Sequence, residues 1–291
     1  MFSGSLVAIV TPLRSDGSVD FEAWARLLEW HAANGSQGIV VGGTTGESAT
    51  LREAELRELT TQACAHLAGR LPVIVGAGSS STAATVERVD WLSQLPIAGL
   101  LLVTPAYNRP TQEGLYLHFA AAAAAAGKPL LLYNVPARTA VDMQPGTVAR
   151  LAQLRGIVGI KEAVPDAARV RALVAATPSG FVVLSGDDAT AREAIAAGAR
   201  GVISVTANVA PRAMSEMVAA ALRGDAARAA QLDASLAALH RELFVEANPI
   251  PAKWLLAEQG LIGPGLRLPL TPLAAQYQAR VRGAAHAAGI I

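Results

Sequence analysis

Eight short β-branched or leucine-rich runs recur along the chain: SLVAIVTP, GIVVGG, PVIVGAG, AGLLLVTP, PLLLYNVP, GIVGIKEA, FVVLSGDD and GVISVTAN. Between successive runs lie segments with apolar residues at helical spacing, such as FEAWARLLEWHAAN and DAARVRALVAAT. Nothing else in the sequence restricts the fold as tightly. Strict alternation of strand and helix predicts parallel strands joined by right-handed helical crossovers, and the near-continuous apolarity of the strands implies that both faces are covered. Eight such units fit an α/β fold of the closed (β/α)8 TIM-barrel type, about 220 residues long. A doubly wound open sheet is the rival, but the first strand-to-helix turn lacks a GxGxxG fingerprint and the eightfold count is what closure needs. The division expected is a catalytic barrel over 1–223, followed by a helical appendage over 224–291. No stretch is Ser- or Gly-rich enough to be a flexible linker, so the appendage is expected to pack on the barrel.

Several function classes drop out on composition. Charged residues are 16% of the chain and the net charge is +1, which leaves neither a basic field for nucleic acid nor a polybasic stripe for a lipid surface. The amino terminus, MFSGSLVAIVTPLRSDG, has no basic n-region and breaks at Thr11-Pro12, so it reads as a first strand and not a signal peptide. No unbroken apolar run is long enough to span a bilayer, and the alanines at 120–126 suit a helix. Cys64 is the single cysteine. An internal disulfide framework is therefore impossible, a reducing cytoplasm is the natural setting, and Cys64 is expected to be a packing residue.

In a barrel of this type, chemistry is built at the carboxyl ends of the strands. Those tips are polar here: GGTTGES, TPAYNRP, YNVPART, IKEA, SGDD and ISVTAN. Lys161 stands out because the chain uses arginine almost everywhere and keeps lysine only at 128, 161 and 253. Arginine cannot form an imine. Strand alternation puts Lys161 on one face with Ile157 and Gly159, pointing into the barrel, where desolvation favours the nucleophilic amine. A lysine snorkelling from a strand end to water is the competing reading. Tyr133 has inward parity on the preceding strand and would neighbour Lys161, as a proton shuttle or as a packed core tyrosine with its hydroxyl satisfied. Thr44 and Thr45, among glycines 42, 43 and 46, offer hydroxyls and backbone N–H groups to a carboxylate, although such a loop is also an ordinary turn. Arg138 could grip a second carboxylate bidentately, or simply be solvated. Asp187 and Asp188 precede a helical stretch that an aspartate would cap. No histidine lies nearby, so no metal site is expected. A serine-hydrolase reading finds no GxSxG elbow.

GGTTGES, TPAYNRPTQEGLY, LLYNVPART, GIKEA, LSGDD, GVISVTANVAPR and NPIPAKW, in this order, run over essentially the whole chain. This set resembles the dihydrodipicolinate synthase family, within the pyruvate-dependent Schiff-base aldolases. The resemblance implies that pyruvate forms an imine with Lys161, becomes an enamine and attacks L-aspartate 4-semialdehyde, on the diaminopimelate route to L-lysine. It implies a proton relay of Tyr133, Thr44 and Tyr107, the last reaching into a neighbouring subunit's site. Thr45 and the Thr44 backbone would hold the pyruvate carboxylate, and Arg138 the semialdehyde's. Gly186 and the carbonyl of Ile203 would line the pocket. Such enzymes are homotetramers, dimers of dimers, and need no metal or organic cofactor.

One departure concerns regulation. Lysine-inhibited relatives carry a basic residue at 56, asparagine at 80, glutamate at 84 and an aromatic at 106. This chain matches at Ser48 and Ala49, but has Leu56, Ser80, Ala84 and Ala106. Weak sensitivity or insensitivity to L-lysine is expected. Two alternatives are another Schiff-base aldolase, such as N-acetylneuraminate lyase or a 2-keto-3-deoxy-sugar-acid aldolase, and a non-catalytic barrel that binds an oxo acid.

Overall fold

The computed structural model describes residues 2–291. Its strands are β1 (Gly4–Ala8), β2 (Gly38–Val41), β3 (Val73–Gly76), β4 (Gly99–Val103), β5 (Leu130–Asn134), β6 (Ile157–Glu162), β7 (Val182–Ser185) and β8 (Gly201–Ser204). They close in sequence order into one parallel barrel, with β1 pairing to both β2 and β8. The eightfold reading therefore holds, and the open sheet is ruled out.

Both strand faces are buried, which explains the unbroken apolar runs. Leu6, Ala8, Val40, Ile74, Leu101, Leu131, Leu184 and Ile203 fill the barrel interior. Their neighbours Val7, Ile39, Val41, Val75, Leu100, Leu132, Ile160 and Val183 belong to the larger core under the helices. One expectation needs correction. Ile157 does not share the face of Lys161, because Leu130 pairs with Ile157 while Leu131 pairs with Gly159. Val158 is thus an extra residue, a bulge that inverts the alternation. Ile157 packs outward with the helix layer, whereas Gly159 and Lys161 stand in register with the inward Leu131 and Tyr133.

The intervening helices are α1 (Phe21–Ala33), α2 (Glu53–Leu67), α3 (Thr82–Ser93), α4 (Gln112–Ala125), α5 (Pro136–Thr139), α6 (Pro145–Leu151), α7 (Ala167–Ala176), α8 (Ala191–Ala196) and α9 (Pro211–Leu222). The alanine run falls in α4, whose first turn is capped by Thr111 Oγ1 accepting from the Gly114 N–H at 3.1 Å. Asp20 caps α1 in the same way at Ala23, 3.0 Å. The aspartate pair divides. Asp187 Oδ2 accepts from the Thr190 N–H and hydroxyl at the start of α8. Asp188 does not cap that helix; its Oδ2 accepts from the N–H groups of Val205 and Thr206, at 2.8 and 2.9 Å, and ties the tip of β7 to that of β8.

Three further helices follow, α10 (Ala226–Glu242), α11 (Ile250–Glu258) and α12 (Ala275–Ala287). Leu236, Leu239, Leu255, Leu256 and Val281 are fully buried in the same core cluster as the barrel's outer layer. The end of the chain is consequently packed into the barrel's outer layer.

Candidate active site

At the carboxyl ends of the strands opens a cavity of about 560 Å³, lined in part by Thr44, Thr45, Tyr133, Arg138, Lys161, Gly186, Asp187, Val205 and Asn248. Residues from the tips of β2, β5, β6 and β7 thus converge on one space. Ile203 and Tyr107 are not in this lining. The Ile203 side chain lies inside the barrel, paired with Leu6. Tyr107 sits on the loop after β4, 96% exposed and with a left-handed φ of 71°.

Lys161 is 5% exposed and pairs in register with Tyr133, and its Nζ stands 4.4 Å from the centroid of that ring. The amine therefore lies against an aromatic face inside the barrel mouth and does not snorkel to water. Directly behind this pair, on the outer side of the strands, Asn134 pairs in register with Glu162. Asn134 Nδ2 donates to Asp142 Oδ1 at 2.8 Å and to Glu162 at 3.1 Å, and the Met143 N–H donates to Asn134 Oδ1. Arg169 bridges Glu162 and Asp142 and also donates to the Met143 carbonyl. Burial pushes the Glu162 carboxyl up from its ordinary value, against the pull of the Val164 N–H and Arg169. For Asp142 burial acts in the same direction but is outweighed by hydrogen bonds from Asn134 and Arg169, which hold it below the usual carboxylate range. This clamp locks the tips of β5 and β6 to each other one residue beyond Tyr133 and Lys161.

The threonine loop is pinned equally closely. A Cβ at Gly76 would lie 2.1 Å from the Gly42 carbonyl oxygen, so only glycine lets the loop settle on β3. Gly43 O accepts from the N–H groups of Gly46 and Ser48, and Thr11 Oγ1 donates to Gly46 O at 2.7 Å. Thr45 is 2% exposed. Arg138 projects from the short α5, its side chain exposed at the rim.

Sequence reasoning assigned no role to Asn248 or to the buried pair Glu47 and Lys253. Asn248 Nδ2 donates to Thr45 Oγ1 at 2.9 Å, and Lys253 Nζ is ion-paired with Glu47. The signal was present in NPIPAKW and in the scarcity of lysine, but no local pattern says that these residues return to a loop some 200 positions earlier. Among the described residues, no group of three or more His, Cys, Asp or Glu is placed to hold a metal ion, and no helix is long and apolar enough to cross a membrane.

The family model described as the Dihydrodipicolinate synthetase family matches residues 1–288. A 4-hydroxy-tetrahydrodipicolinate synthase of Azoarcus sp. (strain BH72) is 51% identical over 290 residues, covering 100% of this chain and 99% of that protein. One of Thioalkalivibrio sulfidiphilus (strain HL-EbGR7) is 53% identical with the same coverage. The crystal structure of the chloride-inhibited dihydrodipicolinate synthase of Acinetobacter baumannii, complexed with pyruvate, superposes with a TM-score of 0.98 at 49% identity, covering both chains fully.

Proposed function

The chain belongs to the dihydrodipicolinate synthetase family, and from that premise we propose that it condenses pyruvate with L-aspartate 4-semialdehyde to 4-hydroxy-tetrahydrodipicolinate. The observation that most supports this is the buried amine of Lys161 against the Tyr133 ring, opening on a cavity that also holds the threonine loop and Arg138.

In this reading Lys161 Nζ attacks the keto carbon of pyruvate, and the carbinolamine loses water to give an imine. Loss of a methyl proton makes the enamine, whose carbon bonds to the aldehyde carbon of the second substrate. The semialdehyde's own amine then displaces Lys161 by transimination, closing the ring and freeing the lysine. Tyr133, Thr44 and Tyr107 of the partner subunit carry the protons between these steps. Thr45 and the Thr44 backbone hold the pyruvate carboxylate, while Arg138 takes the carboxylate of the semialdehyde. Gly186 and the Ile203 carbonyl complete the lining.

The rest of the proposal follows from the same site. The barrel over 1–223 carries the chemistry and the helical unit over 224–291 backs it. A homotetramer, a dimer of dimers, is supported by the outward Tyr107, held on a loop that Ser80 Oγ and Asn108 Nδ2 tie together at 2.8 and 2.9 Å. A cytoplasmic setting accords with one half-buried free cysteine. Weak or absent L-lysine inhibition is supported by a second cavity of about 600 Å³, lined by Ser48, Ala49, Leu56, Ser80 and Ala106. Its two carboxylates are already paired, Glu47 with Lys253 and Glu53 with Arg88, leaving no free anionic partner there for an effector's amine.

The test is borohydride reduction in the presence of pyruvate. One pyruvyl unit should be fixed on the peptide containing Lys161, and a Lys161→Ala variant should fix none. A native protein that turns over aspartate semialdehyde yet never traps pyruvate would overturn the mechanism.

A further inference from the structure

Two polar contacts reach the threonine loop from a single stretch at the start of α11. Asn248 Nδ2 donates to Thr45 Oγ1 at 2.9 Å, and five residues later Lys253 pairs with Glu47. Both ends of the Lys253–Glu47 pair are 1% exposed, so each charge depends on the other for compensation. Burial pushes the Lys253 ammonium below its ordinary value, and the Glu47 carboxylate offsets only part of that shift. Glu47 also adopts φ 58°, a conformation unfavourable for a residue with a Cβ, and its second oxygen accepts from the Arg267 N–H at 3.3 Å. Arg267 in turn donates to the Thr50 carbonyl at 2.7 Å and pairs with Glu55. The segment from Thr45 to Glu55 is therefore held from outside, by residues about 200 positions away.

The direction of the Asn248 contact matters for chemistry. A hydroxyl carries one proton, and when Thr45 Oγ1 accepts from Asn248 Nδ2 that proton stays free for another acceptor. A carboxylate is acceptor-only, so Thr45 can then donate to it.

We propose that Asn248 and Lys253 are positioning residues for pyruvate: Asn248 sets the Thr45 hydroxyl as a donor, and the Lys253–Glu47 pair holds the loop that carries it. This rests on the reading of Thr44 and Thr45 as the carboxylate holders. It assigns the carboxyl-terminal helices a share in the affinity for the first substrate and none in that for the second, whose carboxylate lies with Arg138.

Three variants of the full chain test it: Asn248→Asp, Asn248→Ala and Lys253→Met. Asn248→Asp keeps the shape but turns the donor into an acceptor. The measurements are half-saturating pyruvate for borohydride trapping, KM for each substrate, kcat and the thermal midpoint. Asn248→Asp should raise half-saturating pyruvate by about 10- to 100-fold, the scale of one hydrogen bond to a charged group, with KM for the semialdehyde nearly unchanged. Asn248→Ala should produce a smaller shift of the same kind. Lys253→Met should combine a raised pyruvate KM with a lower midpoint; if it fails to fold, the Asn248 variants decide. A purely structural role would lower the midpoint and the amount of active enzyme but leave half-saturation where it was. Folded Asn248 variants that trap with the native half-saturation would overturn the inference while leaving the function intact. Absence of trapping in the native protein would overturn both.

Discussion

Adding one methyl group at Gly186 should disable imine formation far more than it destabilises the fold. An ideal Cβ there would lie 2.9 Å from Ala163 Cβ, 3.0 Å from Lys161 Cε and 3.1 Å from Ala163 Cα. Carbon atoms prefer about 3.5–4.0 Å, so each contact must open by roughly half an ångström or more. Ala163 has little freedom to yield, because its N–H donates to the Asn134 carbonyl at 3.0 Å, and the Gly186 N–H is itself bonded to Glu162 O at 2.7 Å. The Lys161 side chain is the part that moves. Overpacking of this size costs about 1–3 kcal/mol of stability, while a misplacement approaching ~1 Å in a reacting group costs on the order of 100-fold in rate. Gly186→Ala is therefore expected to fold, to lose a few degrees in thermal midpoint, and to form the trappable imine about 10- to 100-fold more slowly at saturating pyruvate. Stopped-time borohydride trapping, quantified by mass on the Lys161 peptide, measures this directly. Native trapping rates in a folded Gly186→Ala protein would refute the claim that Gly186 exists to clear the lysine.

Three further outcomes are expected. His31 is fully buried, with Nδ1 at 3.0 Å from Ser36 Oγ, and burial lowers its pKa from 6.5 to about 3. A folded-state value depressed in this way gives stability that is present above pH 6.5 and lost as pH falls towards 3, about 2 kcal/mol between about pH 8 and about pH 5; denaturation midpoints of His31→Gln should lack that share of the acid loss. Arg169→Met leaves Glu162, with its wholly buried side chain, uncompensated and should cost about 3–5 kcal/mol at high pH. Because the raised Glu162 carboxyl takes up a proton as pH falls, the deficit should shrink on acidification, and a pH-independent deficit in chemical denaturation would place its origin elsewhere. In a coupled assay L-lysine should leave activity nearly untouched at low concentration; half-inhibition there would show that Leu56, Ser80, Ala84 and Ala106 still make an effector site.

The strands were legible in the sequence because a barrel strand is buried on both faces and has to be apolar throughout. The helices between them were legible because each needs only one apolar stripe and a capping residue such as Asp20 or Thr111. Face assignment within β6 was less secure. Counting back from Lys161 in steps of two put Ile157 inside, and the Val158 bulge, which has no composition signal of its own, reverses that. Thr44, Thr45, Tyr133, Arg138 and Lys161 could be picked out at polar strand tips, and Gly186 through the family resemblance; the chain brings them to one cavity. Asn248 and Lys253 could not, because their partners are fixed by how α11 docks against the barrel and not by neighbours in sequence. The cap expected of the aspartate pair falls to Asp187 alone. The role of Asp188 was not legible, because its oxygen serves the backbone just beyond β8, which no local pattern announces.

The Val158 bulge also says how the chain tolerates change. β6 enters the barrel in one phase and leaves it in the other, so the direction of Lys161 is not inherited from the loop that precedes the strand. It is set at the far end, where Glu162 is fastened to Asn134 and Arg169. Lengthening or shortening the approach around Leu154 to Gly156 by a residue could be absorbed where the slack already lies. A single insertion between Lys161 and Glu162 would instead turn the amine towards the helices, leaving a closed barrel with nothing reactive in its mouth. The strand behaves as two independently clocked halves, one answering to the fold and the other to the chemistry.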